Sequence, residues 1–238
     1  VQLADNEKVT AILPLREYAE GQFVFMATAD GTVKRIKLTE FSRPRSSGIN
    51  VINLDGDNTL IGVAVTDGLQ DIMLFSNEGK AIRLKETDVR AMGRAAGGVR
   101  GMRLPVGARI VSMVATSEPS ELTEAELLKQ PENQLLEVVP EDTLDTEQDL
   151  VEDVVDELDN EDEADEDLAA LAHQAQILIA CANGYGKRTP VSKFTLRKRG
   201  GQGVLAIQTT ERNGELVSAV SACEGNDLLL ISDMGTLV

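Results

Sequence analysis

The chain has 238 residues, 42% of them apolar but only 3% aromatic, with no Trp; this is enough for a sizeable core of Val, Ile, Leu and Ala. Its formal net charge of −17 describes neither of its parts, because residues 118–175 hold 22 Asp or Glu against the single Lys129, a net of −21 that leaves +4 for everything else. With one histidine (His173) and two cysteines (Cys181 and Cys223) that lack CxxC spacing, the composition leaves no Ser/His/Asp or Cys/His set and no zinc-ligand pattern.

Residues 1–8 read as a polar lead-in, and VTAIL at 9–13 is expected as the earliest strand of a first blade. From there one unit recurs. Apolar runs FVFM (23–26), IMLF (72–75), ILIA (177–180) and LLLI (228–231) each precede a turn glycine: Gly31, Gly79, Gly184 and Gly235. Asp30-Gly31 and Asn183-Gly184 are strong hairpin signals, because primed turns need positive φ. Four residues past the glycine stands an arginine, Arg35, Arg83 or Arg188, and two further on, on the same strand face, Lys37 or Lys85, with Pro190 in the third copy. An apolar anchor follows (Phe41, Val89, Phe194), then a basic loop ending in Gly48, Gly98 or Gly203. A further apolar strand recurs at 60–63, 110–113 and 216–219.

The turn glycines are 48, 105 and 51 residues apart, so the middle interval holds one repeat plus an insertion. A period near 50 with about four short strands predicts an all-β array of radial blades. An irregular β-sandwich would not keep glycine, arginine and anchor in one register. The reading divides the chain into blade one (1–57), blade two (58–109), blade three (110–215, interrupted by 118–175) and an incomplete blade four (216–238). In the insertion, Leu150, Val151, Val154, Val155 and Leu158 recur at helical spacing, whereas DNEDEADED at 159–167 is expected to stay solvated and mostly disordered.

The acidic run lacks a calcium-loop pattern, the glycines form no phosphate-binding Walker loop, and no signal peptide or membrane-length apolar run is present. A soluble, intracellular chain without cofactor or metal is expected. Cys181 reads as a reduced core thiol.

What carries chemistry is the basic surface. Blade one supplies Lys34, Arg35, Lys37, Arg43 and Arg45. Blade two supplies Lys80, Arg83, Lys85, Arg90, Arg94, Arg100 and Arg103. Blade three supplies Lys187, Arg188, Lys193, Arg197, Lys198 and Arg199. Because they fall in the same part of every repeat, a radial array brings them to one rim, and such a belt with few aromatics suits duplex phosphates better than stacked single strands. Glycines beside the arginines, as at Gly200, Gly201 and Gly203, let backbone N–H groups approach phosphate as well.

The segments FMATADGTVK (25–34), MLFSNEGKAIR (73–83), VRAMG (89–93), GVRGMRL (98–104), NGYGKRT (183–189) and ERNG (211–214) resemble the DNA gyrase A C-terminal domain family. The resemblance covers nearly everything outside 118–175. It implies a β-pinwheel, a relative of the propeller, that wraps duplex DNA around its basic perimeter and supports ATP-driven negative supercoiling in a bacterial cytoplasmic holoenzyme of two GyrA-type and two GyrB-type polypeptides. Cleavage, ATP and Mg would reside elsewhere in that assembly. The run Arg197-Lys198-Arg199-Gly200-Gly201-Gln202-Gly203 is similar to the family's Q-R-R-G-G-K-G box, with Gln202 in place of the lysine and in a later blade than the family's. The family's boxed first blade is expected upstream of Val1. The related domain of topoisomerase IV and a protein-binding propeller remain as alternatives. The acidic segment is expected to compete with DNA for the rim.

Overall fold

A computed structural model describes residues 8–45, 48–116, 175–222 and 227–236. The acidic segment, its expected helix and its expected competition with DNA lie outside the described residues, apart from Ala175, as do His173 and Cys223.

Eleven strands are present among the described residues: β1 (Phe23–Thr28), β2 (Thr32–Lys37), β3 (Leu60–Thr66), β4 (Asp71–Ser76), β5 (Lys80–Lys85), β6 (Val99–Arg100), β7 (Ile110–Thr116), β8 (Gln176–Cys181), β9 (Gly186–Pro190), β10 (Val204–Leu205) and β11 (Leu216–Ala222). They form three antiparallel sheets, in the orders β3-β1-β2-β6, β7-β4-β5-β10 and β11-β8-β9. Short 3-10 turns at Leu38–Phe41, Glu86–Asp88 and Val191–Lys193 follow the second strand of each hairpin.

The apolar runs of β1 and β4 are unbroken because both faces of these strands are covered. Along β4, Ile72 and Leu74 pack towards the first sheet with Phe25, Ala27 and Val33, whereas Met73 and Phe75 pack towards the third with Ile177 and Ile179. The rings of Phe75 and Phe194 meet edge to face, with centroids 6.2 Å apart. Val24, Met26, Ile36 and Leu38 form a further cluster on the other side of the first sheet. Burial raises the pKa of the Cys181 thiol, which stands in this core as a small apolar residue.

Two features of the pairing differ from the sequence reading. The strand at 60–66 does not open blade two. It pairs with β1, Phe23 opposite Thr66 and Val24 opposite Val65, and completes the first sheet; β7 and β11 do the same for the second and third. That edge of β1 is therefore filled, and residues 9–13 form no strand, with Ile12 85% exposed. Likewise no strand forms between residues 227 and 236, although the expected turn is there: Gly235 N–H donates to the Ser232 carbonyl at 2.9 Å.

The other edge of each of the first two sheets is completed by the following repeat. Val99 and Arg100 add to β2, and Val204 and Leu205 add to β5. The turn glycines make this close approach possible. The Gly31 carbonyl accepts from Gly101 and Met102 N–H, and the Gly79 carbonyl from Ala206 and Ile207 N–H, at 2.8–3.2 Å. A Cβ on Gly79 would lie 2.0 Å from the Ile207 carbonyl oxygen, and its φ is +78°. On the opposite side β3, β7 and β11 adjoin, with Ser112 Oγ donating to the Ala219 carbonyl at 2.8 Å. The sheets thus have an inner edge facing their neighbours, and the first two have an outer edge laced by the next repeat.

Candidate nucleic-acid interface

The basic loops run along those outer edges. After the 3-10 turn of blade two, the chain crosses to blade one: Met92 N–H donates to the Arg35 carbonyl at 2.8 Å. Blade three repeats the step, Arg197 N–H donating to the Arg83 carbonyl at 2.8 Å. The loops of blades two and three are thus anchored by the same main-chain contact, which sets Arg94 and Arg199 at equivalent places two residues past it.

The structure divides the expected cations into two groups. Lys34, Arg35 and Arg83 are buried and do not reach solvent. Arg83 donates through Nε to Asp71 Oδ2 at 2.9 Å and through a terminal nitrogen to the Val191 carbonyl of blade three at 2.9 Å. Arg35 Nε lies 3.0 Å from Glu86 Oε1 of blade two, a charge contact without hydrogen-bond alignment, while its guanidinium stacks 3.5 Å from the centroid of the Phe23 ring. Burial lowers the pKa of Arg35 and the Glu86 carboxylate raises it, the first effect prevailing. Lys34 Nζ donates to the Val51 and Arg94 carbonyls at 2.7 and 2.6 Å, and burial lowers its pKa. These three hold blades together; the sequence reading of them as duplex contacts is corrected. The physical reason is the inter-blade lacing, which covers the strand face that a single sheet would leave open. Their partners Asp71 and Glu86 escaped the sequence reading, although a carboxylate opening the run DIMLFS was a signal for a buried ion pair.

The second group stays accessible. Lys37, Arg43, Arg45, Lys85, Arg90, Arg100, Arg103, Lys187, Arg188, Lys193, Lys198 and Arg199 are exposed, and Lys80, Arg94 and Arg197 half-buried. Lys37 and Lys85 end equivalent strands. Arg100, opposite Thr32, and Lys80, beside the turn glycine Gly79, belong instead to the turn end of the blades, while Lys187, opposite Ile179, stands at the Lys34 place of the repeat. Arg199 Nε donates to the Asp88 carbonyl at 3.2 Å, which fastens the blade-three loop to blade two. In the box-like run, Gly200 N–H donates to the Gly101 carbonyl and the Gly201 carbonyl accepts from Arg103 N–H. These glycines serve the seam between blades, while Gln202 is exposed. Among the described residues no group of His, Cys, Asp and Glu could hold a metal, and no helix is long and apolar enough to cross a membrane.

Interlocked antiparallel blades, completed by strands from their neighbours and edged with basic loops, define a β-pinwheel, the propeller relative that the family resemblance implies. The profile of the family described as "DNA gyrase C-terminal domain, beta-propeller" matches residues 22–67, 70–117 and 175–223, the same three units that the sheets define, and the chain belongs to that family. It is 41% identical over 237 residues to the DNA gyrase A protein of Haemophilus influenzae, covering 99% of this chain and 24% of that protein. To the DNA gyrase A protein of Pseudomonas aeruginosa it is 43% identical over 218 residues, covering 92% and 18%. The chain thus spans about a quarter or less of these relatives. Among solved structures, a gyrase A C-terminal domain matches with TM-score 0.69 at 20% identity, covering 100% of this chain and 61% of that one. The C-terminal domain of a DNA topoisomerase IV matches with TM-score 0.71 at 19% identity, covering 99% and 57%. These two likenesses concern the fold alone.

Proposed function

We propose that the chain bends duplex DNA along the exposed cations of its outer rim, as the wrapping part of a gyrase that introduces negative supercoils. The observation that carries this reading is the sorting of the arginines and lysines. Those that lock blades are buried, yet Lys37 and Lys85 remain exposed at equivalent strand ends, Arg43 and Arg45 on the blade-one loop, and Arg90, Arg94, Lys198 and Arg199 on loops of blades two and three that the same main-chain contact sets. Charges placed at a repeated height suit a phosphate backbone, whose recognition depends on charge and not on sequence. In that reading the partners are duplex DNA, the remainder of the gyrase A polypeptide and the gyrase B polypeptide in the bacterial cytoplasm, with ATP and Mg handled elsewhere in the assembly.

The test is duplex binding across a salt series. A slope of log affinity against log salt well away from zero is expected. Reversing Lys37, Lys85, Arg90 and Lys198 to Glu together should abolish binding with little change in melting temperature. A slope near zero, or normal binding by that variant, would move the reading to a protein-binding propeller.

A further inference from the structure

Among the described residues Lys34 is the only buried lysine. Its two acceptors are carbonyl oxygens, and among the described residues no carboxylate pairs with it. Burying an ammonium without a counter-charge is unfavourable, so packing alone does not account for it. At the equivalent place in blade two stands Ile82, fully buried, which seals the next seam with an ordinary apolar side chain.

What Lys34 does that Ile82 does not is join two loops. Val51 follows the basic loop of blade one, and the second carbonyl belongs to Arg94 itself, on the basic loop of blade two. These two loops also line one depression of about 600 Å³, through Arg43 and Arg45 from blade one and Arg94 from blade two, with Glu40 among the lining residues. Arg45 and Arg94 also line an adjoining depression of about 370 Å³ with Asn50 and Asn53. Among the described residues none of the three arginines is in an ion pair. Arginines that line one depression from two blades suit the oxygens of a phosphate diester.

We infer that Lys34 is a positioning residue that assembles, across the seam of blades one and two, a single seat in which Arg43, Arg45 and Arg94 together hold one backbone phosphate of the duplex. This rests on the duplex-binding reading above and adds a fixed point to it. The rim is then not uniform: this seam grips one phosphate, whereas the next seam, with Ile82 in place of the lysine, offers dispersed charge. Glu40 weakens the seat by opposing its charge.

Salt-series binding of the full chain to duplex DNA separates the possibilities. If the three arginines share one phosphate, the triple variant Arg43→Gln/Arg45→Gln/Arg94→Gln lowers the slope by about one; three independent contacts would lower it by roughly three and overturn the shared seat. Lys34→Ile copies the residue that seals the next seam, so it should fold. It is expected to lower the slope by about one, although Lys34 touches no DNA, with no further loss when the triple is added. A Lys34→Ile chain whose melting temperature falls but whose slope stays normal overturns the positioning role; so does one that fails to fold, and the triple then judges the seat alone. Glu40→Gln should tighten binding up to a few-fold. Inorganic phosphate titrated at constant ionic strength should give no saturable signal. Saturable binding abolished by Arg94→Gln would reassign the seat to a free anion. A wild-type slope near zero would instead sink the duplex reading itself.

Discussion

The seams on the two sides of blade two are built on one main-chain plan with different side chains. At both, the turn-glycine carbonyl takes two N–H groups from the next blade, and the arginine four residues later sends its guanidinium towards that blade. At the first seam Arg35 meets a carboxylate on the next blade, Glu86, and its own blade supplies the Phe23 ring. At the second seam the places are exchanged. Asp71, which occupies the Phe23 position of the repeat, supplies the carboxylate from within blade two, and Val191, at the Glu86 position, offers only its carbonyl. Each buried arginine keeps one carboxylate, drawn from whichever side has it. The repeat keeps its backbone register, and charge balance is met locally by whatever side chain faces the guanidinium.

The third arginine of the series extends the comparison, because Arg188 is exposed. The largest expected contrast uses the glycines. Gly79→Ala sets a Cβ against the Ile207 carbonyl and should destabilise by on the order of 5 kcal/mol, opening the second seam. Gly184→Ala, with φ +82° but nothing within 4 Å of the new Cβ, should lose only about 1 kcal/mol. Denaturant unfolding of both variants measures the difference, and similar losses would refute the lacing as the cause.

Next in size is the arginine pair. Arg83→Met leaves Asp71 buried without its counter-charge and should destabilise by about 3–5 kcal/mol. Arg188→Met at the same register position should stay within about 0.5 kcal/mol. Phe23→Leu removes the ring beneath Arg35 and is expected to lose about 1 kcal/mol beyond the change in buried area, whereas the Arg35→Met/Phe23→Leu double variant should show non-additivity in a cycle.

The smallest effect concerns the first hairpin. Partial burial tends to raise the pKa of Asp30, but hydrogen bonds from Thr28, Thr32 and Asn58 outweigh it and the net shift is downward from 3.8. A carboxyl with a depressed native pKa stabilises the fold above its unfolded value, and that contribution is lost as pH falls through the native pKa. Asp30→Asn should therefore unfold slightly more easily than wild type at neutral pH, by a fraction of a kcal/mol for so exposed a group, and the gap should vanish in acid below 3.8. A gap that persists there would assign the effect to turn geometry alone.

Much of this was legible in one dimension because the unit repeats. The hairpins needed glycine at positive φ, the strands needed continuous apolar runs, and the shared offsets from Gly31, Gly79 and Gly184 marked the blades. The strand at 60–66 was misassigned because a strand between two hairpins reads equally well with either; hydrogen bonding to β1 decided it. Which basic side chains reach the surface was not legible residue by residue. Arg35 and Lys37 have identical spacing signals, yet one is buried and the other exposed.

By itself the sequence determined that this is an all-β array of blades, because glycine placement and apolar runs are local properties. Only the tertiary structure decided which cations are exposed. A guanidinium's fate depends on what the next blade lays over it, and that contact joins residues such as Arg83 and Val191 that are far apart along the chain.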